Sequence, residues 1–165
     1  VGASLGEARR IMVEGPSGVL AITPPRQRPV FEPSKRLLTW PNGASATLFS
    51  AAEPESLRGP QHSHAWCDEI AKWDASAGRA MAAWDNLMLG LRLGRRPQVV
   101  ATTTPRAVDL VRRLMAQEDV ALSRGSTLDN ADNLPTGFLR SVISAFNGSL
   151  LGRQELDGEL IEELE

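Results

Sequence analysis

The sequence is short of several residues and patterns, and each shortage excludes a class of protein. Its single cysteine, Cys67, excludes an internal disulfide and fits a reducing compartment. No apolar run approaches the roughly 18 residues that a membrane-spanning helix needs, and no signal peptide is visible, so no membrane partner is expected. The 18 basic and 20 acidic residues leave a net charge of −2, which gives no overall attraction to nucleic acid.

What remains is the composition of a folded domain. The 165 residues are 42% apolar and 23% charged, which is ordinary for a globular protein of one domain. Cys67 lies inside an apolar run, so we expect a small buried side chain rather than a reactive thiol. His62 and His64 have a metal-like spacing, but no further ligands accompany them, and a structural role at the start of a strand is expected.

The first third of the chain predicts a helix and a hairpin. Val1 resembles the end of a strand. Ser4 and Glu7 have the spacing of a capping box, which predicts a helix as far as about Val13. Two β-prone runs flank Pro41-Asn42-Gly43, and Asn-Gly favours a type I′ hairpin turn. The intervening residues, rich in proline and glycine, are predicted to be loop.

The rest of the chain alternates between strands and helices. Apolar runs predict strands at His64–Cys67, at 97–101 and at 119–125. Apolar residues at helical spacing predict helices at 76–94, 106–117, 135–147 and 150–163. This alternation predicts an α/β fold with a mostly parallel sheet, in which ligands bind beyond the carboxyl ends of the strands.

Two adjacent acids end the strand at His64–Cys67. Asp68 and Glu69 repel each other unless a cation or a proton-transfer reaction compensates the cost. An apolar strand followed by Asp-Glu is the layout of a Walker B motif. In such a motif the first acid holds Mg²⁺, usually through water, and the second orients and deprotonates the attacking water. The alternative is a pair of solvated acids that cap the following helix.

The next predicted strand ends in three hydroxyl groups, those of Thr102, Thr103 and Thr104. At the carboxyl edge of a sheet such hydroxyls can sense a γ-phosphate or the attacking water, and can change hydrogen-bond partners on hydrolysis. The alternative is β-propensity followed by Pro105, which terminates the strand. Both polar clusters are predicted to lie at the same edge.

Several segments in order resemble the ATPase domain of large terminase subunits, the DNA-packaging motors of tailed phages and related gene-transfer particles. They are "ARRIMVEGPSG", "ESLRGPQHSHAWCDEIAKW", "LRLGRRPQVVATTTPR", "GSTLDNADNL" and "GRQELDGELIEE". The resemblance implies a P-loop NTPase-like fold of the ASCE type, an ATP hydrolase that drives DNA into a capsid, and Mg²⁺ and ATP in the complete protein. It also implies double-stranded DNA, other terminase subunits in a ring, the small terminase and the portal protein as partners, in the cytoplasm of a bacterial host cell.

The same resemblance implies a role for each matching residue. Asp68 would hold the magnesium ion, and Glu69 would be the catalytic carboxylate. Thr102, Thr103 and Thr104 would couple hydrolysis to motion. Arg58, in "SLRG", would be an arginine finger in a neighbouring subunit's site, where its charge would neutralise the transferred phosphoryl group. The alternative is a loop arginine beside a turn glycine.

One required element is missing from the 165 residues. A P-loop ATPase needs G-x-x-x-x-G-K-[ST] to bind phosphates, and the chain contains no such sequence. In the family that loop would lie upstream of Val1, so we expect a partial ATPase domain, incomplete at its N-terminus. Residues 1 to about 123 would be the nucleotide-binding core, and about 124–165 a helical lid or linker.

This gap has consequences for activity and stability. The chain alone is expected to be inactive, and marginally stable or self-associating, because a missing strand exposes sheet edges. Two other functions remain open. One is a helicase-like ATPase, which also pairs a strand ending in Asp-Glu with a threonine-rich strand. The other is a non-catalytic module that docks to the packaging complex, which the missing phosphate loop favours.

Overall fold

The computed structural model describes residues 1–161, and its architecture is mixed α/β. The chain forms two compact units: Val1–Thr102, and a second that begins at Thr103. Within residues 1–161 the strands are β1 (Val30–Glu32), β2 (Leu37–Thr39), β3 (Ser45–Thr47), β4 (His64–Cys67) and β5 (Gln98–Ala101). The helices are α1 (Leu5–Glu7, continued by a π-helix at Ala8–Val13), α2 (Val19–Ile22), α3 (Arg79–Gly90), α4 (Asp109–Met115), α5 (Thr136–Phe146) and α6 (Leu150–Glu155).

The capping box starts the first helix as predicted. The Ser4 hydroxyl accepts a hydrogen bond from the Glu7 amide at 3.2 Å. The helix then widens into a π-helix that ends at Val13, where the prediction placed its end. Its apolar face packs on the antiparallel sheet β1-β2-β3 in a core made of Ala8, Met12, Val13, Leu38 and Leu48.

The hairpin is confirmed, but its turn differs from the predicted type I′. Strands β2 and β3 pair with Leu38 opposite Ala46, and a five-residue loop closes with the Trp40 amide bonded to the Ala44 carbonyl at 2.8 Å. Gly43 takes the positive φ of 86°, while Asn42 is not among the described residues with positive φ. The Asn42 side chain instead accepts from the Ala44 amide at 3.0 Å, a local bond that competes with the two-residue turn. Strand β1 lies in the segment predicted to be loop.

The parallel sheet is smaller than predicted. Strands β4 and β5 are parallel, with Cys67 opposite Ala101. On the other side of β4, the Val1 α-amino group donates to the Trp66 carbonyl at 2.6 Å, and the Asp68 amide donates to the Val1 carbonyl at 3.0 Å. Val1 therefore pairs with β4 as the end of a strand would, which agrees with the prediction from the sequence. This pairing is too short to count as a strand, so within residues 1–161 only β4 and β5 are parallel strands.

The prediction of a strand at 119–125 is wrong. The segment has no ladder partner among the described residues, and Leu122 is 58% exposed. An apolar pattern alone makes a strand only where a neighbour satisfies its backbone groups.

The predicted helices form, each over fewer residues. Helix α3 begins at Arg79 because Ala77 and Gly78 take positive φ, and it buries Trp84 and Leu87 as predicted while leaving Met88 42% exposed. Helix α6 ends at Glu155, so the predicted extension is wrong as far as residue 161, and its last two residues lie outside the described part of the chain. Across residues 1–161, the helices are all too short or too polar to cross a bilayer.

Candidate functional site

Asp68 is held on three sides at the carboxyl end of β4. Its Oδ1 accepts a hydrogen bond from the Thr102 hydroxyl at 2.8 Å, which links the ends of β4 and β5. Its amide donates to the Val1 carbonyl, and its own carbonyl accepts from the Trp73 indole Nε1 at 3.1 Å. Backbone and side chain are therefore both fixed at this edge of the sheet.

Glu69 adopts a left-handed backbone conformation, with φ 50° and ψ 53°. This conformation costs a non-glycine residue about 1–2 kcal/mol, so neighbouring contacts must maintain it. The Glu69 amide donates to the Thr102 hydroxyl at 3.4 Å, and the Ile70 amide donates to the Thr102 carbonyl at 3.1 Å. Strain at a polar strand end is a common property of functional sites.

The helix after the acids offers little support to the capping alternative. It is a three-residue 3₁₀ helix, Ile70–Lys72, and among the described residues no side-chain capping bond joins Glu69 to it. Three residues carry too little aligned dipole to compensate two adjacent carboxylates.

The three threonines are distributed between the two units. Thr102 continues the β4–β5 pairing, since its amide donates to the Cys67 carbonyl at 2.9 Å. Thr103 and Thr104 belong to the second unit, where the Thr103 hydroxyl donates to the Thr104 carbonyl at 2.9 Å. The structure thus brings Asp68, Glu69 and Thr102 together at one edge.

Arg58 lies on an exposed turn of the first unit. It follows the 3₁₀ helix Pro54–Leu57, which is anchored by the buried Leu57, and it precedes Gly59 with φ 105°. The Arg58 guanidinium is 3.6 Å from the Glu55 carboxylate, with both side chains more than 70% exposed. An exposed ion pair of this kind contributes at most about 1 kcal/mol to stability. Arg58 can therefore leave Glu55 and bind another anion at small cost.

Other titratable groups near β4 have structural roles. Cys67 is fully buried, and burial raises the pKa of its thiol to about 11, so it stays protonated and unreactive. His62 Nε2 lies 3.0 Å from the Leu87 carbonyl, and His64 Nδ1 lies 3.0 Å from the Ser63 hydroxyl, as expected for structural histidines.

A magnesium site at this edge would have to use few protein ligands. Within residues 1–161, no group of three or more His, Cys, Asp or Glu side chains could hold a metal ion. Mg²⁺ bound with a nucleotide needs only one or two carboxylates, because phosphates and water complete its coordination. Asp68, as the one carboxylate predicted to hold the ion, fits that kind of site.

Sequence reasoning missed Trp73. This residue is buried, and its indole N–H reaches the Asp68 carbonyl five positions earlier. The sequence did carry one signal, a tryptophan in a polar turn. A buried indole N–H usually needs an acceptor, and in a turn that acceptor can be a nearby backbone carbonyl.

Comparison with known proteins identifies the class of this chain. The family model described as the N-terminal part of the large terminase subunit, T4likevirus-type, matches residues 1–165. The chain therefore belongs to the large terminase family. No curated protein sequence matches it.

A solved structure supports the fold. The large terminase ATPase domain of Thermus phage P74-26 superposes with a TM-score of 0.56, covering 97% of this chain and 74% of that one, at 16% sequence identity. At this identity the similarity shows a shared fold.

Proposed function

We propose that this chain is the ATPase core of a DNA-packaging motor, in which ATP hydrolysis is coupled to translocation of DNA into a capsid. The observation that carries the proposal is the 2.8 Å hydrogen bond between Asp68 and Thr102. It joins two independently recognised motifs at the edge where parallel sheets bind ligands. Membership of the large terminase family supports the same function.

Each residue of this edge has a distinct task in the proposed reaction. Asp68 would hold Mg²⁺ through water, and the ion when bound would neutralise charge on the phosphates. Glu69 would orient a water molecule and take its proton as the oxygen attacks the γ-phosphorus and the bond to ADP breaks. Thr102 would keep the Asp68 carboxylate in position.

Thr102 is also suited to coupling. The chain passes from the first unit to the second between Thr102 and Thr103. A hydroxyl that changes partner when the γ-phosphate leaves would alter the conformation of the residue that begins the connection. Thr103 and Thr104 would transmit that change to the following segment.

The proposed complete fold is a P-loop NTPase-like sheet of the ASCE type. Two observations support it. Val1 and Gly2 pair on both sides, with Trp66–Asp68 and with Phe49–Ala51. Strand β5 pairs only with β4 in the described part of the chain, and its Val100 is 62% exposed. A further strand on the open edge of β5 would place its loop beside Thr102, one strand away from Asp68. Residues 1 to about 123 would be the core and about 124–165 a lid or linker.

The proposed partners follow from the motor role. Double-stranded DNA would be the transported substrate, and other terminase subunits would form a ring that engages the small terminase and the portal protein in the bacterial cytoplasm. The exposed position of Arg58 supports its action as a finger in a neighbouring subunit, because it can leave Glu55 at small cost.

The test is ATP hydrolysis by the full-length subunit that contains this chain. Glu69→Ala should abolish turnover, while Glu118→Ala, which removes an exposed carboxylate outside the site, should leave it unchanged. Turnover unaffected by Glu69→Ala would contradict the assignment. If no subunit containing this chain hydrolyses ATP, the docking-module alternative is favoured. A helicase-like ATPase would hydrolyse ATP without packaging DNA into capsids.

A further inference from the structure

We infer that Trp73 is a positioning residue that, together with Thr102, holds the peptide group between Asp68 and Glu69 and so sets the direction of the Glu69 carboxylate. The inference rests on the proposed function, in which that carboxylate takes the proton from water. It adds a residue outside the paired acids and the threonines to the machinery of the site.

The two side chains hold opposite ends of one peptide group. Its carbonyl oxygen, which belongs to Asp68, accepts the Trp73 indole N–H at 3.1 Å. Its N–H, which belongs to Glu69, donates to the Thr102 hydroxyl at 3.4 Å. A peptide group bonded at both ends cannot rotate about its flanking single bonds without breaking one of these bonds.

Rotation of this peptide is what the backbone would otherwise favour. Glu69 has φ 50° and ψ 53°, and side chains other than glycine leave this region readily for the right-handed or extended one. Either change would swing the Cα–Cβ bond of Glu69 to a new direction. A general base must lie within hydrogen-bond reach of the proton that it takes, so the swing would remove it from the reaction.

Burial and the hydrogen bonds of the preceding turn fix the position of Trp73. It is 3% exposed, and its amide donates to the Ile70 carbonyl at 3.2 Å, closing the 3₁₀ turn that follows the acids. The Lys72 amide donates to the Glu69 carbonyl at 2.8 Å within the same turn. Trp73 therefore ends this turn, and its indole N–H bonds back to the peptide group that precedes the turn.

We call the hydrogen bonds of Trp73 and Thr102 to this peptide group the clamp. A double-mutant cycle on the stability of the full-length subunit tests the clamp without any need for hydrolysis. Glu69→Gly and Glu69→Ala are compared by urea unfolding. With the clamp intact, the glycine variant should have a folding equilibrium constant about two- to fivefold larger, because relief of left-handed strain exceeds the entropic cost of glycine. With Trp73→Phe, which removes the indole N–H and keeps an aromatic ring, this advantage should vanish or reverse.

Trp84→Phe is the matched control. It makes the same chemical change at another buried tryptophan, in helix α3, so the glycine advantage should persist. Should Trp73→Phe not fold, Thr102→Val removes the other bond to the same peptide and should cancel the advantage in the same way. A glycine advantage that survives Trp73→Phe, or that survives Thr102→Val, would overturn the inference.

Kinetics of the full-length subunit separate positioning from simple packing. Trp73→Phe should lower kcat for ATP hydrolysis at least tenfold with KM unchanged, whereas Trp84→Phe should change neither. Equal kcat values for both variants would contradict the positioning role. If Glu69→Ala leaves hydrolysis unchanged while the stability cycle succeeds, the proposed function fails and the clamp stands as a structural feature.

Discussion

At the residue scale, the adjacent carboxylates of Asp68 and Glu69 are separated by their backbone environments. Asp68 follows β4 directly, and its carboxylate accepts a hydrogen bond from the Thr102 hydroxyl, while Glu69 adopts the left-handed region. The Asp68 carboxylate is thus held by a neighbouring strand, and the backbone of Glu69 is held in a different way. One carboxylate can therefore serve as a ligand while its neighbour serves as a base.

The Thr102 hydroxyl is predicted to matter more than its methyl group. In the full-length subunit, Thr102→Val should lower the rate of ATP hydrolysis about tenfold or more, because a hydrogen bond to a charged carboxylate contributes about 1.5–3 kcal/mol. Thr102→Ser keeps the hydroxyl and should stay within a few-fold of the wild-type rate. A valine variant as active as the serine variant would show that the bond to Asp68 is dispensable.

At the scale of elements, His62 ties the end of helix α3 to the start of β4. Its amide donates to the Gly90 carbonyl at 3.0 Å, and its ring Nε2 lies 3.0 Å from the Leu87 carbonyl. The Arg92 amide then donates to the His62 carbonyl at 3.1 Å. Gly90 leaves room for this contact, since a Cβ there would lie 2.7 Å from the His62 ring. The strand that ends in the acids is thus anchored at its other end.

This contact predicts a dependence of stability on pH. Burial lowers the pKa of His62, and the bond to the Leu87 carbonyl offsets it only in part. The unfolded chain therefore binds a proton more readily than the folded one, and stability should fall as the pH drops through the unfolded value of about 6.5. Urea unfolding between about pH 8 and pH 5 should show this loss.

Replacing the His62 ring tests this assignment. His62→Gln should remove the part of the pH dependence that lies near neutrality, because glutamine does not titrate in that range. A pH profile that is unaltered in the His62 variant would locate the titrating group elsewhere.

At the scale of the whole molecule, the sequence predicted those parts whose signals are local. The capping bond of Ser4, the strand at His64–Cys67 and the meeting of Asp68 with Thr102 all follow from short patterns and the geometry of parallel strands. The failures concern features that no short pattern specifies. Residues 119–125 have the apolar pattern of a strand but no neighbour to pair with among residues 1–161. The bond from Trp73 to the Asp68 carbonyl spans a turn in which Glu69 is left-handed, and no sequence pattern indicated that conformation.

In the proposed ring of subunits, Arg58 would act in a neighbour's site. Arg58→Ala should abolish hydrolysis by the assembled full-length protein while leaving nucleotide binding intact, and Arg26→Ala, at another exposed arginine, should have no effect. Mixing Arg58→Ala subunits with Glu69→Ala subunits should restore part of the activity, because each supplies what its neighbour lacks. Mixtures as inactive as their components would place the role of Arg58 within its own subunit, or nowhere in catalysis.

The most direct test of the central claim, that Glu69 is the base of an ATPase site, is the kcat and KM of full-length Glu69→Gln. Glutamine keeps the size of the side chain but cannot take a proton from water at neutral pH. A general base contributes about 10²- to 10⁴-fold, so kcat should fall by at least about a hundredfold while the KM for ATP changes little. A kcat that is unchanged, with or without a raised KM, would contradict the account.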